Sequence, residues 1–337
     1  MTAADPEDLL AHWDLPARSG PVALPGGTNS GVHRVDGPDG TGWVLRIVTN
    51  HQDPERLRLE TDIVTAVAAA DLPFAVPAPL PTRDGAAHVG MPGLVATLWP
   101  LAPGRPVDTV TPALARSAGR TLGLLTRVLA ESPVDPARAA RLLPPYGDLD
   151  HAHPAVPDPR AALARLDTDP GTRDDLLRLC DRLRERLPDL YRELPRQLTH
   201  ADFNTGNVLV ESDRITAVLD FEFSTLDLRA MDLAVALSAW CGPHLPDRDT
   251  ETVARLADAF GSGYRTEVAP TAAEAEALPD LVLLRYLAVV LHFLGRRLSG
   301  LGPQADVDRW IGYSRRMLQS DRADPHAWVG RLPDWAG

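Results

Sequence analysis

The chain of 337 residues contains no lysine, so all 34 of its basic residues are arginines. That absence removes whole chemistries. A Walker A loop would lack the lysine that reaches its phosphates, pyridoxal phosphate would find no Schiff-base partner, and lysine-dependent aldol reactions are excluded. Cysteine is nearly as scarce: Cys180 and Cys241 are the two present, too few for a disulfide framework and without CxxC spacing, so both read as buried thiols. Positive charge is in deficit. A formal net charge of −12 sets the average field against nucleic acid or an anionic membrane and in favour of a cationic small substrate. The N-terminus carries Asp5, Glu7 and Asp8 in place of a basic region leading into an apolar core, so no signal peptide is expected. The longest apolar stretch, Leu281 to Leu294, is broken by Arg285 and His292 and reads as too short to span a bilayer. A cytoplasmic location, with no membrane and no nucleic-acid partner, is the expectation.

What is present, 44% hydrophobic and 24% charged residues, suffices for one large or two medium domains with real cores. Pro6 to Trp13 reads as a short leading helix with Asp5 as its cap. Val22 to Leu24, Gly31 to Val35 and Trp43 to Val48 read as strands, with Gly37 to Gly40 as a turn between the last two. Asp53 to Ala70 returns to helical spacing, with Leu57, Ile63, Val64 and Val67 on one side. His88 to Val89 and Leu94 to Leu98 add two short strands, giving a small sheet with one helix across it. The Pro/Gly-rich break from Pro100 to Pro106 then opens a mainly helical region: Pro112 to Glu131, Asp174 to Glu193, Met231 to Trp240, Thr250 to Tyr264, Leu278 to Leu298 and Val307 to Gln319. Residues Pro133 to Pro170 read as a loop-rich insertion. The expected division is 1–102 and 103–337.

The chemistry concentrates between Leu198 and Glu222. An apolar run leads into His200 and Asp202, Asn207 precedes a β-rich segment, and a second strand delivers Asp220 at its end. One carboxylate to orient and deprotonate a hydroxyl, plus an amide and a second carboxylate to hold a divalent ion, is the set that phosphoryl transfer needs. His200 reads as structural, hydrogen-bonding the loop that carries Asp202.

These residues give the chain its family likeness. With the HxDxxxxN spacing of His200, Asp202 and Asn207, the Asp220-Phe-Glu222 motif and Asp227-Leu-Arg-Ala-Met-Asp232 downstream, it resembles the aminoglycoside phosphotransferase and choline kinase superfamily. Ala239-Trp-Cys241 makes the type II homoserine kinase branch the nearest in appearance. The resemblance implies an α+β, bilobal, protein-kinase-like fold, with a small antiparallel β-sheet lobe bearing one helix and a larger, mainly helical lobe. It implies Asp202 as catalytic base and Asn207 and Asp220 as Mg²⁺ ligands. Residues 1–102 would bind the nucleotide, and 103–337 would carry catalysis and the acceptor.

Within the first of these, Gly27, Thr28, Asn29 and Ser30 lie in a Gly-rich hairpin whose N–H and hydroxyl groups suit phosphates. Arg46 stands where protein kinases place the phosphate-pairing lysine, which changes the donor geometry from a point to a planar fork. Glu60 is its candidate partner. Leu98, Trp99 and Leu101 fall where the family's interlobe linker runs and would line the nucleobase slot. Glu222 and Asp227 would touch a substrate amine or support the metal loop. Trp240, Tyr286, His292, Arg296 and Arg297 are candidates for an acceptor pocket, with core packing and helix-end charge the simpler roles.

The implied activity is transfer of the ATP γ-phosphoryl group, with GTP left open, to a hydroxyl of a small polar molecule by a monomer or homodimer. GC-rich composition and acidic charge make an antibiotic or natural product, as in resistance-type aminoglycoside phosphotransferases, the leading expectation for the acceptor, and the Asp227 to Cys241 likeness makes homoserine or another amino alcohol the alternative. A catalytically silent nucleotide-binding protein is the reading from another class, supported by Arg46 in place of lysine.

Overall fold

A computed structural model describes residues 5–16, 18–24, 30–48, 53–243 and 248–323. Strands β1 (Val22–Ala23), β2 (Ser30–Asp36), β3 (Gly42–Val48), β4 (Val89–Met91) and β5 (Leu94–Pro100) form an antiparallel sheet in the order β1-β2-β3-β5-β4. Strand alternation gives this sheet two different faces. Val35, Leu45, Ala96 and Leu98 are buried on one face against Leu9 and Leu10 of helix α1 (Pro6–Leu10) and against Trp13. Arg46, paired in register with Thr97, occupies the other face. Helix α2 (Pro54–Ala68) reaches that second face through Glu60, while its apolar side, Leu59, Ile63, Val64 and Val67, belongs to the larger core beyond the sheet. The sheet therefore has a helix associated with each face.

After α2 the chain touches the second half before returning to β4. Ala75 N–H donates to Thr216 O at 2.8 Å, and Val218 N–H donates back to Ala75 O at 3.0 Å. The remaining elements are helices α3 (Pro112–Ala130), α4 (Pro136–Leu142), α5 (Pro159–Ala164) and α6 (Pro170–Glu193), strands β6 (Arg196–Thr199), β7 (Val208–Glu211), β8 (Arg214–Val218) and β9 (Thr225–Leu228), and helices α7 (Arg229–Cys241), α8 (Thr250–Tyr264), α9 (Ala272–Leu298) and α10 (Gln304–Ala323). β6 pairs with β9, and β7 pairs with β8. Helices α3 and α8 cross in direct backbone contact. A Cβ added at Gly119 would sit 1.9 Å from Phe260 O, and one at Gly263 would sit 1.9 Å from Arg116 O, so only glycine fits at either point.

Two departures from the sequence reading share one cause. The stretch expected to be loop-rich contains α4, α5 and the start of α6, each opened by an aspartate whose side chain accepts from a first-turn N–H and by a proline just inside the helix: Asp135-Pro136, Asp158-Pro159 and Asp169-Pro170. Proline there occupies a position whose N–H has no helical partner, so these prolines start helices instead of breaking them. Conversely, Pro279 does not mark the start of α9. A capping box between Thr271 and Glu274 begins the helix at Ala272 and leaves Pro279 inside it.

The 27-residue α9 is also longer than the apolar stretch read from sequence, and with a mean hydropathy of 1.8 over its most apolar window it meets the length and composition of a membrane span. Burial identifies it as a core helix: 67% of that window is enclosed by the protein. It packs against α7, α10 and α6.

Candidate active site

The residues singled out from the sequence are brought together by two loops. Residues 200–207 connect β6 to β7, and residues 219–224 connect β8 to β9, so the antiparallel pairs hold both loops at the same edge. Asp202 Oδ2 accepts a hydrogen bond from Asn207 Nδ2 at 2.9 Å, and the same amide donates to Asp202 O at 2.9 Å. Leu219 N–H donates to Asn207 O at 2.8 Å, which ties the second loop to the first. Asp220 lies one residue further on. Both loops contain a non-glycine residue in the left-handed region, Ala201 at φ 62° and Asp220 at φ 63°. Such conformations persist where surrounding bonds over-determine them.

His200 supplies much of that determination. Its ring is fully buried, donating from Nε2 to Leu219 O at 3.1 Å and accepting at Nδ1 from Asp202 N–H at 3.3 Å. This pattern fixes a neutral imidazole, and burial lowers its pKa from the ordinary value. The N–H groups of His200 and Ala201 both donate to the buried carboxylate of Asp232, at 2.9 and 2.7 Å. The structural role expected of His200 is the one the hydrogen bonds describe.

Arg46 projects from β3 toward these loops. Its Nη1 donates to Glu60 Oε1 at 2.9 Å, its Nη2 donates to Glu222 Oε2, and Asp220 Oδ1 lies 3.5 Å from Nη2. One guanidinium thus faces three carboxylates. Burial works against the Arg46 charge, but Glu60, Asp220 and Glu222 more than offset it and raise the pKa. The cost of the surplus negative charge falls on the acids. Glu60 is pushed up by burial, with Arg46 opposing and Glu222 adding to the rise. Asp220 is pushed up to about 7 by burial, with Arg46 opposing and Glu222, Glu60 and Asp202 adding. Asp220 Oδ1 is buried and receives no hydrogen bond. An orphaned carboxylate oxygen in a cluster short of positive charge, on a loop tied to Asn207 through the Leu219 N–H, makes with the Asn207 amide oxygen a hard-oxygen donor pair fit for a divalent cation.

Asp202 is held differently. Its other oxygen, Oδ1, accepts from Arg285 Nη2 at 3.0 Å. Burial raises its pKa, with Arg285, Asn204 and Asn207 opposing. Arg285 is the site residue that sequence reasoning missed. In the sequence it is a charge interrupting an apolar run, and that interruption was itself the signal, because a lone arginine on a core helix needs a partner.

Other sequence candidates fall into place one by one. Gly27, Thr28 and Asn29 lie outside the described residues, and of Ser30 only the start of β2 is described. Leu98 does not line a cleft: it is fully buried on the α1 face, and its carbonyl accepts from Leu80 N–H at 2.7 Å. The strand continues through Pro100, so alternation puts Thr97 and Trp99 on the Arg46 face, with Trp99 Nε1 donating to Thr97 Oγ1 at 2.9 Å. Leu101 is half-buried, its N–H donating to Gly42 O. Asp227 is fully buried and accepts from Tyr146 N–H, Leu228 N–H and Tyr191 Oη, which makes it a support behind the loop and not a substrate contact. Burial pushes it up to about 6. Trp240 and Tyr286 are core residues, and Arg296 is buried with Nη2 donating to Leu301 O at the end of α9. His292 packs edge-on against Phe223, in the loop that carries Asp220. Arg297 is exposed.

Comparison with known proteins agrees with this geometry. The family described as "Phosphotransferase enzyme family" (APH) matches residues 22–275. Homoserine kinase of Zymomonas mobilis is 29% identical over 297 residues, covering 87% of this chain and 86% of that protein. Homoserine kinase of Acidiphilium cryptum is 30% identical over 259 residues, covering 74% of each. Among solved structures, a microcompartment-associated aminopropanol kinase superposes with a TM-score of 0.67 at 20% identity, covering 96% of this chain and 98% of the other. Amicoumacin kinase hAmiN, in complex with AMP-PNP and Ca²⁺, gives 0.65 at 17% identity, covering 89% and 88%. These structures share the kinase-like α+β fold. With its matched length and its assembled loops, the chain belongs to the APH phosphotransferase enzyme family and is a small-molecule kinase.

Proposed function

We propose that the protein transfers the γ-phosphoryl group of ATP, bound with Mg²⁺, to a hydroxyl of a small amino alcohol of the homoserine type. The observation that carries the reading is the convergence of Asp202, Asn207 and Asp220 on one edge, with Asp220 Oδ1 buried and lacking a donor. Asp202 is the catalytic base: it orients the acceptor hydroxyl and takes its proton as the phosphoryl group leaves ATP. Asn207 and Asp220 would hold the cation, which would supply charge neutralisation at the phosphates. Arg46, its terminal nitrogens held by Glu60 and Glu222, places its positive charge on the side of the sheet where the phosphates would lie.

Residues 1–102 form the nucleotide lobe. The Gly27 to Ser30 segment supplies N–H and hydroxyl groups suited to the phosphates, and Trp99 and Leu101 stand beside the base. Residues 103–337 bear the catalytic groups and the acceptor site. GTP as donor is the alternative that the same groups would accept.

For the acceptor, support comes from the homoserine kinases matched along most of their length. The antibiotic acceptor favoured by composition rests on likeness of fold alone. The test is ATP consumption with hydroxy amino acids, amino alcohols and antibiotics as acceptors. Acceptor-stimulated, Mg²⁺-dependent turnover that disappears in Asp202→Ala supports the proposal, and nucleotide binding without turnover across the panel identifies a silent kinase-like protein instead.

A further inference from the structure

Arg285 sits midway along α9, a helix otherwise lined with core residues, and its side chain is only 14% exposed. Its guanidinium lies 5.4 Å from the Tyr146 ring centroid and 6.0 Å from that of Trp310. Aromatic faces at such distances attract the cation and hold the orientation of its fork. Nη2 donates to Asp202 Oδ1 at 3.0 Å, while Asp202 Oδ2 is taken by Asn207. Tyr146 is itself fixed to the catalytic loop, its hydroxyl donating to Ala201 O at 2.9 Å. Among the described residues no acceptor meets Nε or Nη1 of Arg285, and neither atom is a buried orphan. A positioned arginine with spare donors therefore stands in hydrogen-bond contact with the oxygen that an acceptor hydroxyl must approach.

That arrangement is costly for one class of acceptor and favourable for another. A polycationic aminoglycoside would bring ammonium groups against a fixed positive charge, a repulsion that selects against it. A carboxylate is the group whose geometry and charge the guanidinium fork matches. We infer that Arg285 is a specificity-determining residue that binds a carboxylate of the acceptor, so the acceptor is a small hydroxy acid of the amino-acid class. The acceptor carboxylate engages the spare N–H groups, and the hydroxyl at the other end of the molecule reaches Asp202. The acidic average charge of the chain, which alone suggests a cationic substrate, is offset locally at this point by Arg285.

The inference rests on the phosphotransferase reading above, and a matched pair of acceptors separates the two. L-homoserine and 3-aminopropan-1-ol differ by the carboxylate alone. With saturating MgATP and ADP release as the readout, the wild type favours homoserine in kcat/KM by on the order of 100-fold, the worth of one desolvated charge pair. Arg285→Met collapses that ratio toward one, chiefly through the KM for homoserine, and Arg285→Lys retains an intermediate ratio because it keeps the charge without the fork. Equal use of both acceptors by the wild type overturns the inference. So does a ratio unchanged in Arg285→Met with kcat lowered for both, which would make Arg285 a positioning residue for Asp202 alone. Turnover confined to alcohols or aminoglycosides without a carboxylate overturns the inference while the phosphotransferase reading stands. ATP bound but not consumed with any hydroxy acid, amino alcohol or aminoglycoside overturns that reading itself.

Discussion

Two arginines hold the carboxylates of this site, one from each half of the chain, and their surroundings differ in charge balance. Arg46 comes from the small sheet and faces Glu60, Asp220 and Glu222. Arg285 comes from the core helix α9 and meets Asp202 between two aromatic rings. The first cluster is short of positive charge, so it is prepared for a cation. The second is balanced, so an incoming anion finds an arginine with donors to spare. Within a few residues of one another the loops therefore present opposite needs, as moving a phosphoryl group from a metal-bound triphosphate to a hydroxyl requires.

Mutations can break this contrast, and the largest effect belongs to the residue between the two clusters. Asp202→Ala should lower acceptor-dependent kcat by roughly 10³- to 10⁴-fold, measured by ADP release, with nucleotide affinity largely kept because the phosphate and metal groups remain. Arg46→Ala comes next. The substitution would remove from the buried Glu60 the arginine that hydrogen-bonds it, and would take one donor from Glu222. A loss of about 3–5 kcal/mol in urea unfolding is expected, together with weaker use of ATP.

Asp220→Asn sharpens the comparison by moving activity and stability in opposite directions. Asparagine accepts the left-handed backbone at this position, so the loop should keep its course. Removing one negative charge from the crowded cluster should hold or raise Tm, while loss of the carboxylate proposed to hold the cation should lower kcat/KM on the order of 100-fold. A fall in Tm comparable to that of Arg46→Ala would show that the cluster is not short of positive charge.

The smallest effect is a pH dependence from His200. Its folded pKa lies below the ordinary value because burial disfavours the imidazolium. Its contribution to stability is therefore complete above about pH 6.5 and is lost as pH falls from there toward the folded pKa, by up to about 1.4 kcal/mol per pH unit, because the unfolded chain takes up a proton that the folded chain refuses. His200→Gln, though less stable overall, should show a shallower decline between pH 7 and 5 in chemical unfolding. An unchanged slope would mean that the folded imidazole accepts the proton as readily as the free one.

Much of this was legible in the chain itself. The HxDxxxxN spacing and Asp220 stood out because loops between short strands must carry chemistry at fixed offsets, and the strands and main helices announced themselves by period. Leu98 was misplaced because the sequence shows a hydrophobic residue near a domain joint but not which face of β5 it occupies. The stretch from 133 to 170 was misread because Asp-Pro pairs look alike whether they end a helix or begin one. Arg285 was passed over because its partner lies 83 positions away, and no local pattern joins them.

The sequence by itself determined the family and the small sheet followed by a helical half, and it singled out Asp202, Asn207 and Asp220 as candidates, because each depends on local spacing that one segment of chain can encode. Tertiary structure alone decided which charges meet: three carboxylates around Arg46, and one beside Arg285. Coulomb and desolvation energies depend on distance and burial, and those are set only when segments far apart in the chain pack together.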